Sequence, residues 1–133
     1  MDFNLKIGMK ASMEIIVDEN QTAASYGSGG VKVYATPAMV GLLENTSLNA
    51  VDPFLPDGYA TVGTHLDIKH LAATPVGMKV IANAELIEMD RKKLVFKVEA
   101  FDEKDKIGEG THSRFIIEKK AFLKMAEEKA SGK

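Results

Sequence analysis

The chain contains no cysteine, which excludes a disulfide framework, a thiolate metal site and a cysteine nucleophile. Nor does it contain any run approaching the roughly 18 to 20 apolar residues that a bilayer-crossing helix needs. The first ten residues carry Lys6 and Lys10 but no apolar stretch of signal-peptide length. A formal net charge of −2 leaves no basic surplus for a nucleic-acid partner. Three familiar chemistries are missing as well. There is no H-x-x-x-H or histidine–carboxylate cluster at metal-ligand spacing. No phosphate loop is present, because Gly27, Gly29 and Gly30 follow no strong strand and lead to no Lys-Ser/Thr. No G-x-S-x-G elbow occurs either. These absences lead to the expectation of a cytoplasmic protein that works without membrane, nucleic acid or metal.

What is present suits an ordinary globular domain. The 133 residues are 45% apolar and 27% charged, enough for one domain with a core of its own and no separate cofactor domain. Leu5 to Val17 alternates as a strand, and Thr22 to Tyr26 reads as a short return strand. Gly27 to Gly30 is a flexible break. Thr36-Pro37 then reads as an N-cap followed by proline at the first helical position. Met39, Leu42, Leu43, Thr46, Ser47, Leu48 and Val51 follow at helical spacing, ending before Pro53. The helix is apolar enough to be covered on more than one side. Four antiparallel strands come next: Tyr59 to His70, Met78 to Met89, Leu94 to Phe101 and Ile107 to Ile117. Glu118 to Ala130 is a polar terminal helix. The order predicts an α+β architecture, a curved antiparallel sheet around one apolar helix. A single helix cannot cover such a sheet, so a second copy is expected to close an edge or a face.

Only three histidines occur, His65, His70 and His112. Strand alternation puts Val62, Thr64, Leu66, Ile68 and His70 on one face, and Gly63, His65, Asp67 and Lys69 on the other. His70, at the end of an apolar face beside a turn, reads either as a general base with access to water or as a satisfied core histidine. His65 points to solvent, and His112 lines a groove or sits in the core. Glu44, inside the apolar helix, is either functional or on a solvated edge, since desolvating a carboxylate costs several kcal/mol. Thr36 is explained as a helix cap, although a helix N-terminus also suits a developing oxyanion. Gly63 interrupts a strand and invites close approach by a ligand, as do Gly108 and Gly110. Arg114 suits a carboxylate or phosphate, or an ion pair between strands.

Two segments together carry a resemblance. The run Ala35-Thr36-Pro37-Ala38-Met39-Val40-Gly41-Leu42-Leu43-Glu44 resembles the helix opening of hot-dog thioesterases similar to fluoroacetyl-CoA thioesterase. The run from Gly63 through His70 to Ala72-Ala73-Thr74-Pro75-Val76-Gly77 is similar to that family's catalytic strand and turn. The resemblance implies a hot-dog fold and hydrolysis of a short acyl-CoA thioester, with neither cofactor nor metal. It further implies a homodimer, or a tetramer, with active sites near the subunit interface. Thr36, Glu44 and His70 take the catalytic positions, Gly63 binds substrate, and Arg114 contacts it. The glycine-rich segment before the helix carries no aromatic lid, and no fluorinated-substrate specialisation is assigned. Thr36 and Glu44 are eight residues apart, about 12 Å along a helix axis, so they serve one site only if the helix starts later or a second subunit contributes. Two other readings stay open: a non-catalytic acyl-CoA binding module and a hot-dog dehydratase or hydratase.

Overall fold

The computed structural model describes residues 3–27 and 29–132. Strand β1 (Lys10–Ile16) turns its Ala11, Met13 and Ile15 toward the core and the residues between them outward. A capping box closes the 3-10 turn Glu19–Gln21, with the Asp18 carboxylate accepting from the Asn20 N–H at 2.9 Å and Gln21 accepting from the Asp18 N–H at 3.0 Å. Helix α1 (Thr36–Val51) follows, then β2 (Tyr59–His70), β3 (Lys79–Asp90), β4 (Lys93–Phe101), β5 (Lys106–Glu118) and the exposed terminal helix α2 (Lys119–Ala130). The five strands form one antiparallel sheet in the order β1-β3-β4-β5-β2.

The sheet wraps α1, which packs chiefly on β3 and β1. Met39, Leu42, Leu43, Ala50 and Val51 meet Val80, Ala82, Ala84 and Leu86 of β3 and Leu94, Phe96 and Val98 of β4 in one cluster. The helix also buries two hydroxyls that keep a hydrogen bond, because Thr46 and Ser47 donate to the carbonyls of Leu42 and Leu43 one turn back, at 2.7 and 2.8 Å. Glycine marks the tightest approach. A Cβ on Gly108 would stand 2.6 Å from Met39 Sδ, and one on Gly110 would collide with the Asp67 carbonyl of β2.

Four expectations need correction. The first strand starts at Lys10 and not at Leu5, because the chain passes through a turn at Ile7 and Gly8. Thr22 to Tyr26 is not a strand. Thr22 makes only an isolated bridge to Tyr34, and the segment after it coils through turns, so the sheet has five strands and not six. Thr36 is not the N-cap. That place is Ala35, Thr36 is the first helical residue, and no side chain caps the helix. Finally, β2 does not alternate throughout. Gly63 pairs with Arg114 and His65 with Ser113, leaving Thr64 as an extra residue in a β-bulge. The bulge exchanges the two faces, so Val62 does not share a face with Ile68 and His70.

Leu43 is fully buried at the centre of the helix–sheet contact. Leu43→Ala is expected to lower unfolding free energy by about 2–5 kcal/mol, read as a reduced urea midpoint at unchanged m-value.

Candidate active site

Freed from capping, the Thr36 hydroxyl lies 2.7 Å from His70 Nδ1. One element positions each partner. Thr36 sits on the first turn of α1, held by burial of Met39 and Leu43 behind it. His70 ends β2 opposite Gly108, whose missing side chain leaves room for Met39 under the strand. Either the hydroxyl donates to Nδ1 or Nδ1–H donates to the hydroxyl oxygen. The other ring nitrogen, Nε2, is buried and makes no hydrogen bond to any described residue, a state that buried nitrogens rarely keep without a functional reason. Burial lowers the His70 pKa from 6.5, opposed more weakly by the Ala72 backbone, so the ring is neutral at physiological pH.

Beside this pair lies a cleft of about 360 Å³ lined by Tyr34, Leu71, Ala72 and Ala73. Its walls are braced from behind. The Tyr34 N–H donates to the Thr74 carbonyl at 2.8 Å, and the Thr74 hydroxyl donates to Asp102 Oδ2, also at 2.8 Å. Asp102 in turn accepts from the N–H groups of Lys104 and Asp105.

A second cluster surrounds Gly63. A Cβ there would stand 3.0 Å from Glu44 Oε2, 3.1 Å from His112 Cε1 and 3.4 Å from Arg114 Nη1. A side chain at this position would press on all three groups, so glycine leaves room for the carboxylate and the guanidinium to converge. Arg114, only 5% exposed, forms none of the ion pairs within 4.0 Å found among the described residues. Its Nε donates to the Thr61 hydroxyl and its Nη2 to the Thr61 carbonyl, each at 2.7 Å, and its Nη1 to His112 Nε2 at 3.2 Å. Thr61 passes the connection to Asp52, at the end of α1, through its hydroxyl at 2.6 Å and its N–H at 3.2 Å. Three of the five guanidinium N–H bonds are spent this way, and the other two have no acceptor among the described residues. Burial lowers the Arg114 pKa while Asp52 and Glu44 oppose the fall.

The candidate residues therefore fall into two groups: Thr36 with His70, and Glu44 with Gly63 and Arg114. His65 lies on the outer face and is exposed. Sequence reasoning missed Asp52 and Thr61 and left His112 between two readings. The usable signal was that His112 and Arg114 share strand parity. Among the described residues, no group of three or more histidine, aspartate or glutamate side chains could hold a metal, and no helix is long and apolar enough to cross a membrane.

Comparison with known proteins identifies the family and the fold. Residues 17–120 match the family described as FlK, fluoroacetyl-CoA-specific thioesterase. The chain belongs to this thioesterase family. It is 41% identical over 91 residues to the fluoroacetyl-CoA thioesterase of Streptantibioticus cattleyicolor, a stretch covering 68% of this chain and 66% of that relative. The solved structure of the fluoroacetyl-CoA thioesterase FlK superposes with a TM-score of 0.88 at 32% identity, over 95% of this chain and 98% of that one. A hot-dog-like protein from Thermanaerovibrio acidaminovorans superposes equally well, at a TM-score of 0.88 over 97% of each chain with 21% identity, and shows the fold alone. The fold is the hot-dog.

In a proton NMR titration, His70 is expected to change charge below pH 6.5, the direction that burial imposes. A lowered pKa keeps the basic form to lower pH. Any activity that needs neutral His70 is therefore lost only as pH falls through that same midpoint.

Proposed function

We propose that the chain hydrolyses a short acyl-CoA thioester to free acid and CoA, with His70 as general base. One observation carries the reading: the 2.7 Å contact between Thr36 Oγ1 and His70 Nδ1, with Nε2 buried and unpartnered beside a cleft. A hydroxyl and a neutral imidazole at this distance are the parts of an activated nucleophile. His70 takes a proton from the Thr36 hydroxyl, or from a water that this hydroxyl orients, as the oxygen attacks the thioester carbonyl. The imidazolium returns that proton to the departing CoA thiolate. Where Thr36 is the nucleophile, His70 next takes a proton from a water that attacks the acyl-Thr36 ester, and gives it to the Thr36 oxygen as the free acid leaves. Helix α1 begins with free N–H groups at its positive end, unopposed by a side-chain cap, which favours the oxyanion. A module that only binds acyl-CoA has no need of this pair.

Glu44, Gly63 and Arg114 join the same site through a homodimer. Within one chain Glu44 lies about 12 Å along α1 from Thr36, and Gly63 lies seven residues from His70 on β2, roughly 20 Å away. Yet β2 is an edge strand of 12 residues with one side unpaired, the feature that invites a second copy. Antiparallel pairing about a two-fold axis near Leu66 and Asp67 sets the Gly63 cluster of one chain opposite His70 of the other. The Gly63 N–H then holds the thioester oxygen, Arg114 offers its remaining N–H groups, and Glu44 faces the reacting carbon or the water. We assign such a dimer to the cytoplasm.

Release of free thiol from a panel of short, branched and aromatic acyl-CoAs tests the activity. His70→Ala is expected to lower kcat by about 100-fold or more. A loss under about threefold would remove His70 as the base, and acyl-CoA binding without thiol release from any substrate would favour a binding module. Mixing chains carrying His70→Ala with chains carrying Glu44→Gln tests the shared site. Half of the dimers become hybrids with one intact site of two, so activity returns to roughly a quarter of wild type. No return on mixing would place each site within one chain.

A further inference from the structure

Gly63 and His70 are seven residues apart, and a regular strand places residues at odd separations on opposite faces. In this chain both face α1. Gly63 pairs with the buried Arg114 and His70 with Gly108, both on the helix-facing side of β5. The extra residue at Thr64 makes this possible, so both halves of the site depend on one β-bulge. Two side-chain contacts hold that bulge to β5. The Thr64 hydroxyl donates to the Ser113 carbonyl at 3.2 Å, and His112 Nδ1 stands 2.8 Å from the His65 carbonyl.

His112 is fully buried, and its surroundings permit one protonation state. A carbonyl can only accept, so Nδ1 carries the proton. Arg114 Nη1 can only donate, so Nε2 is bare. Burial, and the Arg114 charge to a smaller degree, lower the ring's pKa, against weaker opposition from the His65 carbonyl and Glu44. With both nitrogens engaged, this imidazole has no free position for proton transfer. Its Cε1 is the atom that would meet a side chain at Gly63.

We propose that His112 is a positioning residue of the thioester site: clamped between Arg114 and the His65 carbonyl, it holds the Thr64 bulge in the register that brings the bare Gly63 backbone to Glu44 and leaves His70 facing Thr36. The inference about turnover rests on the thioesterase reading above. The clamp itself does not.

The test compares two near-isosteric variants. In His112→Asn the amide N–H replaces Nδ1–H and still reaches the His65 carbonyl. In His112→Gln the amide oxygen replaces Nε2 as acceptor for Arg114, and the bond to the bulge is lost. Amide hydrogen exchange at residues 63–65 is expected to accelerate in the Gln variant and to stay near wild type in the Asn variant. With a substrate that wild type turns over, the Gln variant is expected to lose kcat on the order of 100-fold. Its KM should stay within about threefold, with the acid limb of the pH profile unmoved and most of kcat restored by Asn. Exchange that is equal in the two variants, or unchanged in the Gln variant, would overturn the clamp. So would nitrogen-15 shifts showing wild-type His112 protonated on Nε2, a measurement that needs no variant to fold. Exchange and tautomer are read without substrate, so an absence of thioester turnover would count against the activity alone.

Discussion

Burial of α1 in the curve of the sheet is the constraint on which everything else depends. Met39, Leu43 and Val51 are fully buried, and each is worth about 1.5–3 kcal/mol of burial relative to exposure. With its apolar residues committed, the helix has little freedom in where its polar residues fall. Thr36 must lie at the open end of β2 and Glu44 near Gly63, while the hydroxyls of Thr46 and Ser47 fold back on their own backbone. Core packing thus fixes where Thr36 and Glu44 fall along the helix, while the bulge in β2 fixes what they face.

The electrostatics are correspondingly economical. Two histidines are kept neutral by burial, for opposite ends. His70 keeps a nitrogen without a partner, whereas His112 has both nitrogens engaged. One carboxylate and one guanidinium converge on Gly63 without closing into an ion pair, because Arg114 is drawn aside by Thr61 and, through it, by Asp52. Had Glu44 and Arg114 paired directly, each would have satisfied the other; as it stands, two guanidinium N–H groups have no acceptor among the described residues.

The elements were largely legible in the sequence. Helical spacing from Met39 to Val51 and the polar turns at Asp90 and Asp102 locate α1 and the hairpins within a residue or two of their observed limits. Three features were not legible, for physical reasons. A bulge adds one residue without altering composition, so the alternation from Val62 to His70 reads as unbroken although the pairing slips at Thr64. The start of α1 shifts by one residue because Ala35-Thr36-Pro37 tolerates either frame, and in the observed one the Thr36 hydroxyl meets His70. The Asp52–Thr61–Arg114–His112 chain joins the end of α1 to two paired strands, and only the shared parity of His112 and Arg114 leaves a trace of it in local pattern. His70 itself could be singled out because histidine is scarce and this one ends an apolar face.

The uncapped start of α1 also bears on any attempt to make the molecule more heat-resistant. A serine or aspartate at position 35 would normally strengthen such a helix by about 0.5–2 kcal/mol, which makes the site attractive by stability criteria alone. Here Ala35 is fully enclosed, so the new polar group would have to be buried against the core, at a cost that offsets the cap. The enclosed Ala35 therefore keeps the start of α1 without a side-chain cap, its positive end unneutralised by the chain itself.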